Sequence, residues 1–203
     1  METAVHEMAE TVIGQDATRI EHCWQLLFRG FWRGGVVSNS ALSGIDQALW
    51  DIAGKIYGVP VYKLLGGECR DRIRVYAHGD PSAASDIIAE GYTGVKMGPG
   101  PTGNRSDRFV VEQAVEQVAA MREAVGPEVD IMVDSHGRSR PQQAIRMIRA
   151  LEEYHLLFFE EPTPPDNPDL LQRIAACHFD TDIATGERLY TRWGFQSSIS
   201  GCP

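Results

Sequence analysis

Ile131-Met132-Val133-Asp134-Ser135-His136 is the stretch that decides how this chain folds. An apolar run ends in a carboxylate and passes straight into a polar turn. The same form returns at Leu157-Phe158-Phe159-Glu160-Glu161 and, more weakly, at Ala184-Thr185-Gly186-Glu187. Runs this short and this continuously apolar suit strands that are covered on both faces.

Working outward, β-like runs are predicted at residues 73–77, 93–97, 129–134, 156–160 and 182–185, with helical stretches at 109–125, 141–153 and 168–177 between them. In the first of these helices Val111, Ala114, Val115, Val118 and Met121 share one face. Strand alternating with helix predicts parallel β/α units. Two α/β architectures compete, a barrel and an open doubly wound sheet. Gly98-Pro99-Gly100 lacks the spacing of a phosphate-binding loop, and Pro99 removes a backbone donor. Acidic residues at three successive strand ends favour the barrel, where strand carboxy ends converge on one mouth.

Upstream, residues 1–65 read as helical. Ile45, Leu49, Ile52, Ala53 and Ile56 form an apolar stripe after a candidate cap at Ser43, and Gly66-Gly67 ends the region. The chain therefore divides into a helical segment, residues 1–69, and a β/α segment, residues 70–203.

The length of 203 residues suffices for a buried core, and a charged content of 23% argues against disorder. A net charge of −9 disfavours a nucleic-acid partner, which needs a basic footprint. No apolar run approaches the roughly 20 residues of a membrane span. Residues 1–10 are polar and acidic, unlike a leader peptide. Cys23, Cys69, Cys177 and Cys202 are far apart and unpaired in sequence, as suits reduced thiols. The expectation is a soluble cytoplasmic protein.

Asp134, Glu160 and Glu187 are separated in each case by close to one β/α unit. A lone carboxylate after a strand reads as the cap of the next helix. Three in register on adjacent units read as one oxygen-ligand site, because anions held that close call for a hard cation such as Mg²⁺. Glu161 stays open as a ligand in place of Glu160 or as a supporting partner.

At this point the residues carry a resemblance. Ser40-Ala41-Leu42-Ser43-Gly44-Ile45-Asp46-Gln47-Ala48-Leu49-Trp50-Asp51, Gly58-Val59-Pro60-Val61-Tyr62-Lys63-Leu64-Leu65-Gly66-Gly67, Phe159-Glu160-Glu161-Pro162 and Ala184-Thr185-Gly186-Glu187-Arg188 resemble the mandelate racemase subgroup of the enolase superfamily. The resemblance implies a partial (β/α) barrel over residues 70–203, with about five of the eight units, preceded by a partial helical capping domain over residues 1–69. It also implies Mg²⁺ held by Asp134, Glu160 and Glu187.

Such enzymes abstract a proton next to a carboxylate, with Mg²⁺ stabilising the charge that develops. Racemases of the group carry a Lys-x-Lys pair; here the triplet is Lys96-Met97-Gly98, and glycine moves no proton. Lys96 is left as an electrostatic or substrate-carboxylate contact, or as a lysine snorkelling at a strand end. Asp134-Ser135-His136-Gly137-Arg138 is similar to the string of galactonate dehydratases, in which the histidine is the general acid that expels the 3-hydroxyl. Because residues two apart on a strand share a face, Asp134 and His136 are expected to point the same way. Arg138, in the same string, and His78, after the first strand, are candidate substrate contacts. His6, His22, His155 and His178 are expected to be structural. The segment from Phe28 to Gly35 also resembles the galactonate dehydratase cap, with Trp32 and Arg33 in it.

The function so implied is Mg²⁺-dependent dehydration of a sugar acid, a small-molecule substrate, by a carbon–oxygen lyase; family members usually assemble into homo-oligomers, and the sequence leaves the oligomeric state open. Against the family pattern the chain reads as truncated at both ends, with residues 196–203 no longer following it and the general base expected on a later strand. The alternative is a non-catalytic remnant or an interaction subunit of such an enzyme.

Overall fold

A computed structural model describes residues 1–30, 34–101 and 105–199, with side chains placed through Gln196. Trp32, Arg33 and residues 200–203, Cys202 among them, lie outside the described residues. The chain divides into two compact units, Met1–Ile73 and Arg74–Pro203.

The first unit is helical: α1 (Glu2–Val12), α2 (Ile20–Gly30), α3 (Val36–Tyr57) and the single turn α4 (Val61–Leu64). Met8, Leu27, Ala41 and Leu42 form its core, with Val5, Trp24, Phe28 and Ile45 packed around them. Ser43 does not cap α3. The helix starts at Gly35, and Ser43 Oγ accepts from Gln47 Nε2 within it at 3.3 Å. Burial of Ala41 and Leu42 carries the helix upstream past a serine of middling propensity. The expected stripe is only half buried: Leu49 and Ala53 are inside, whereas Ile52 and Ile56 are 40% and 59% exposed. Gly58 closes α3 in the left-handed conformation, φ 66°.

The second unit is a parallel sheet of β1 (Ala77–His78), β2 (Gly94–Met97), β3 (Asp130–Asp134), β4 (Phe158–Glu160) and β5 (Asp182–Ala184), in sequential order. A doubly wound sheet reverses its strand order at a switch point; this one does not, as a barrel requires. Among the described residues five α-helices alternate with or follow the strands: α5 (Ala84–Ala89), α6 (Asp107–Val125), α7 (Pro141–Leu151), α8 (Pro168–Ala175) and α9 (Thr191–Ile199). Strands are shorter than the apolar runs predicted, most of all β1. Helix α5, too short to show periodicity, was not read from the sequence.

Local chemistry sets the helix starts. Ser106 Oγ accepts from Phe109 N–H at α6, Asn167 Oδ1 accepts from Asp169 N–H at α8, and proline opens both α7 and α8. The two faces of the sheet differ. Val95, Met97, Ile131, Val133 and Phe159 point to the helices and join Val110, Ala114, Val118, Met121, Met147 and Ile148 in one core. By the two-residue alternation of strands, Lys96, Met132, Asp134, Phe158 and Glu160 point to the other face. Register pairs Lys96 with Met132, Met132 with Phe158, and Asp134 with Glu160. The helix layer thus leaves the polar residues of β2, β3 and β4 together on the inner side.

Among the described residues no helix is long and apolar enough to cross a membrane.

Candidate metal centre

The inner face delivers three carboxylates to one point. Asp134 and Glu160 are the last residues of β3 and β4 and stand opposite each other in register. Glu187 comes from the turn after β5. One oxygen from each lies within 4.8 Å of the others. Oxygens that share a divalent ion at about 2.1–2.5 Å are separated by no more than about 4–5 Å. The donor set and its spacing therefore fit a hard cation. Asp134 is 2% exposed, and a carboxylate buried that deeply needs charge compensation.

Lys96 supplies some of it. Its Nζ lies 2.6 Å from Glu160 Oε2 and 3.4 Å from Asp134 Oδ2, and sits over the Tyr76 ring at 5.7 Å. Burial works against the ammonium, but the hydrogen bond to Glu160 and the charges of Glu160 and Asp134 outweigh it and hold Lys96 above the ordinary lysine value. The snorkelling alternative fails on this geometry, because Nζ turns inward to the carboxylates.

His136 reaches the site by a route the strand rule did not foresee. β3 ends at Asp134, and His136 adopts φ 51°, in a turn. Its N–H donates to Asp134 Oδ1 at 2.9 Å, and its Nε2 comes back to 3.3 Å from Asp134 Oδ2. The side chain is 40% exposed. Gly137 continues the turn at φ 66° with N–H on Glu161 O, and a Cβ there would stand 3.3 Å from Pro164 Cα.

His78 ends β1 in register with Lys96 and is exposed. Arg138 is exposed too, its N–H closing a turn on Ser135 O at 3.1 Å. Neither forms an ion pair or a side-chain hydrogen bond among the described residues.

Glu161 stands apart from the trio. It turns away from the trio at φ 45°, is 1% exposed, and faces Arg188, whose Nε lies 2.9 Å from Oε1 and 3.0 Å from Oε2. Burial pushes its carboxyl up, Arg188 pulls it down, and the nearby negative charges of Glu187 and Asp134 add to the rise. Arg188 also donates from Nη2 to His136 O at 3.1 Å. The sequence reading missed Arg188, although an arginine next to a candidate ligand was in view, because its partners are distant in the chain.

Parallel β/α units wound in one direction, with a carboxylate trio and a histidine at the carboxy ends of the strands, define a barrel-type protein with a candidate cation site at its mouth. Residues 81–201 match the family described as enolase C-terminal domain-like, and residues 1–66 match the mandelate racemase / muconate lactonizing enzyme N-terminal domain. The chain belongs to this family of the enolase superfamily. It is 43% identical to a D-galactonate dehydratase of Ralstonia nicotianae over 97% of its own length and 53% of the relative's. A mandelate racemase/muconate lactonizing enzyme-like protein from Rubrobacter xylanophilus superposes with TM-score 0.90 at 35% identity, over 98% of this chain and 59% of that one. An enolase from Agrobacterium radiobacter, bound to sodium and L-malate, superposes with TM-score 0.89 at 32% identity, over 98% of this chain and 54% of that one. The chain spans about half the length of the curated relatives it matches.

Proposed function

We propose that the chain carries the metal-binding and acid-catalytic half of a sugar-acid dehydratase, acting on D-galactonate or a close relative to give a 2-keto-3-deoxy acid and water. The observation that carries this reading is the meeting of Asp134, Glu160 and Glu187 with His136 beside them. The names of the curated relatives support the substrate class. L-Malate, bound by one structural neighbour, is itself a 2-hydroxy acid. The three oxygen donors suit a hard divalent ion, and Mg²⁺ is the one the family resemblance implies.

When bound, the ion supplies charge stabilisation to the substrate carboxylate as the proton at carbon 2 becomes labile. Asp134, Glu160 and Glu187 would hold the ion. Lys96 Nζ, 2.6 Å from Glu160 Oε2, would meet a carboxylate oxygen of the substrate. His136, protonated, hands a proton to the 3-hydroxyl, which departs as water while the carbon 2 electrons form the enol. Tautomerisation with protonation at carbon 3 completes the product. His78 and Arg138 are proposed substrate contacts at the rim. The base for carbon 2 is not assigned to any described residue.

The test is conversion of D-galactonate and other aldonates in the presence of Mg²⁺, with 2-keto-3-deoxy acid measured directly. His136→Asn and His136→Ala should lower turnover by about 10²–10⁴-fold; unchanged rates would refute the acid role. Val75 and Tyr76, just ahead of β1, are 60% and 47% exposed, which favours a second reading, in which the chain is an interaction subunit that works with a complementing chain. Aggregates or an inert monomer on size exclusion, without turnover, would support it.

A further inference from the structure

Glu187 is the least anchored of the three carboxylates. Asp134 and Glu160 are held by a strand ladder, and backbone bonds prolong that ladder past the strand ends: Ser135 N–H to Glu160 O, Gly137 N–H to Glu161 O, and Glu161 N–H to Ala184 O. Glu187 lies beyond the last of these, in a turn closed by Leu189 N–H on Gly186 O, with its side chain 47% exposed. A ligand on such a turn needs something to hold its distance from the other two.

The next residue is placed to do so. Arg188 spans from the β5 turn to the β4 turn through Glu161 and to the β3 turn through His136 O. Glu161 is 1% exposed, and its Oε1 makes no hydrogen bond among the described residues although Nε is 2.9 Å away. A carboxylate buried this deeply and held by one guanidinium is a costly feature for stability alone, because burial disfavours its charge. The geometry points to Arg188 as a positioning residue: braced between Glu161 and the His136 carbonyl, it sets Glu187 for the cation and fixes the turn that carries His136. The inference rests on the reading of the trio as a cation site.

Mn²⁺ is the probe, its binding followed by the loss of the free-ion electron paramagnetic resonance signal in the intact chain. The wild type is titrated first; failure to bind would sink the cation site and this inference together. With a binding wild type, Arg188→Ala should weaken Mn²⁺ by about 10–100-fold. Arg188→Lys should recover only part of this, because an ammonium cannot span both acceptors as the guanidinium fork does. Glu161→Gln added to Arg188→Ala should weaken binding no further, since the two act as one brace. A folded Arg188→Ala with wild-type affinity would overturn the inference and leave the cation site standing. If that variant does not fold, a wild-type affinity in Arg188→Lys overturns it equally. Arg122→Met, which removes an arginine remote from the trio in its bonding, serves as the control for a merely structural loss: lower melting temperature, unchanged Mn²⁺ affinity.

Discussion

Lys96, on β2, reaches past β3 and places its Nζ 2.6 Å from Glu160 Oε2 on β4. The lysine lies where positive charge is needed between two carboxylates, and so it competes with any divalent ion for Glu160. This one contact links the stability of the second unit to what occupies its mouth.

Lys96→Met should therefore destabilise the ion-free protein. A fully buried pair broken on one side costs about 3–5 kcal/mol; with both side chains 15% exposed, about 2–3 kcal/mol is expected after allowance for solvent screening. Urea denaturation in the presence of a chelator measures it. Saturating Mg²⁺ should return most of the loss, and a variant as stable as wild type in chelator would contradict the role of Lys96 as internal counter-charge.

Divalent ions should stabilise the wild type through the trio. At about 100 times Kd the gain is about 2.7 kcal/mol, read as a rise in melting temperature. Asp134→Asn and Glu160→Gln should abolish that rise, while Glu187→Gln, altering the exposed member, should reduce it. An equal rise in all three variants would place the ion elsewhere.

Gly137→Ala tests the turn that returns His136 to Asp134. At φ 66° an alanine is strained by about 1–2 kcal/mol, and its Cβ would meet Pro164 at 3.3 Å. Loss of stability with a shifted His136 ring signal by NMR is expected; an unchanged ring environment would show that the turn does not set His136.

Arg122 holds the far side of the sheet, donating to the carbonyls of Tyr154, Gly126, Val129 and His155. Arg122→Met leaves several of those acceptors unsatisfied and should cost about 2–3 kcal/mol. The cation-induced rise in melting temperature should be the same as in wild type.

Much of the candidate site is legible without coordinates. Asp134, Glu160 and Glu187 were visible because each follows an apolar run, and the runs recur at the length of one β/α unit. Strand and helix periods are local properties of the chain, so their alternation and the barrel-like winding they imply were open to reading as well. The limits are equally specific. Ser43 looked like a cap because serine favours caps, but burial of Ala41 and Leu42 extended α3 through it. His136 was placed by extending the strand rule two residues too far, and it reaches Asp134 through a left-handed turn instead.

What the sequence alone determined is the order of elements and the delivery of acidic residues to successive strand ends, because both follow from hydrophobic spacing within a few dozen residues. Only the tertiary structure decided between Glu160 and Glu161, which differ in nothing but the backbone turn that sends one to the trio and the other to Arg188. It also decided that Lys96 bonds a residue 64 positions away and that Arg188 reaches back to His136. Contacts of that separation are set by how strands align in the sheet, and a linear string of residues carries no record of alignment until the chain has packed.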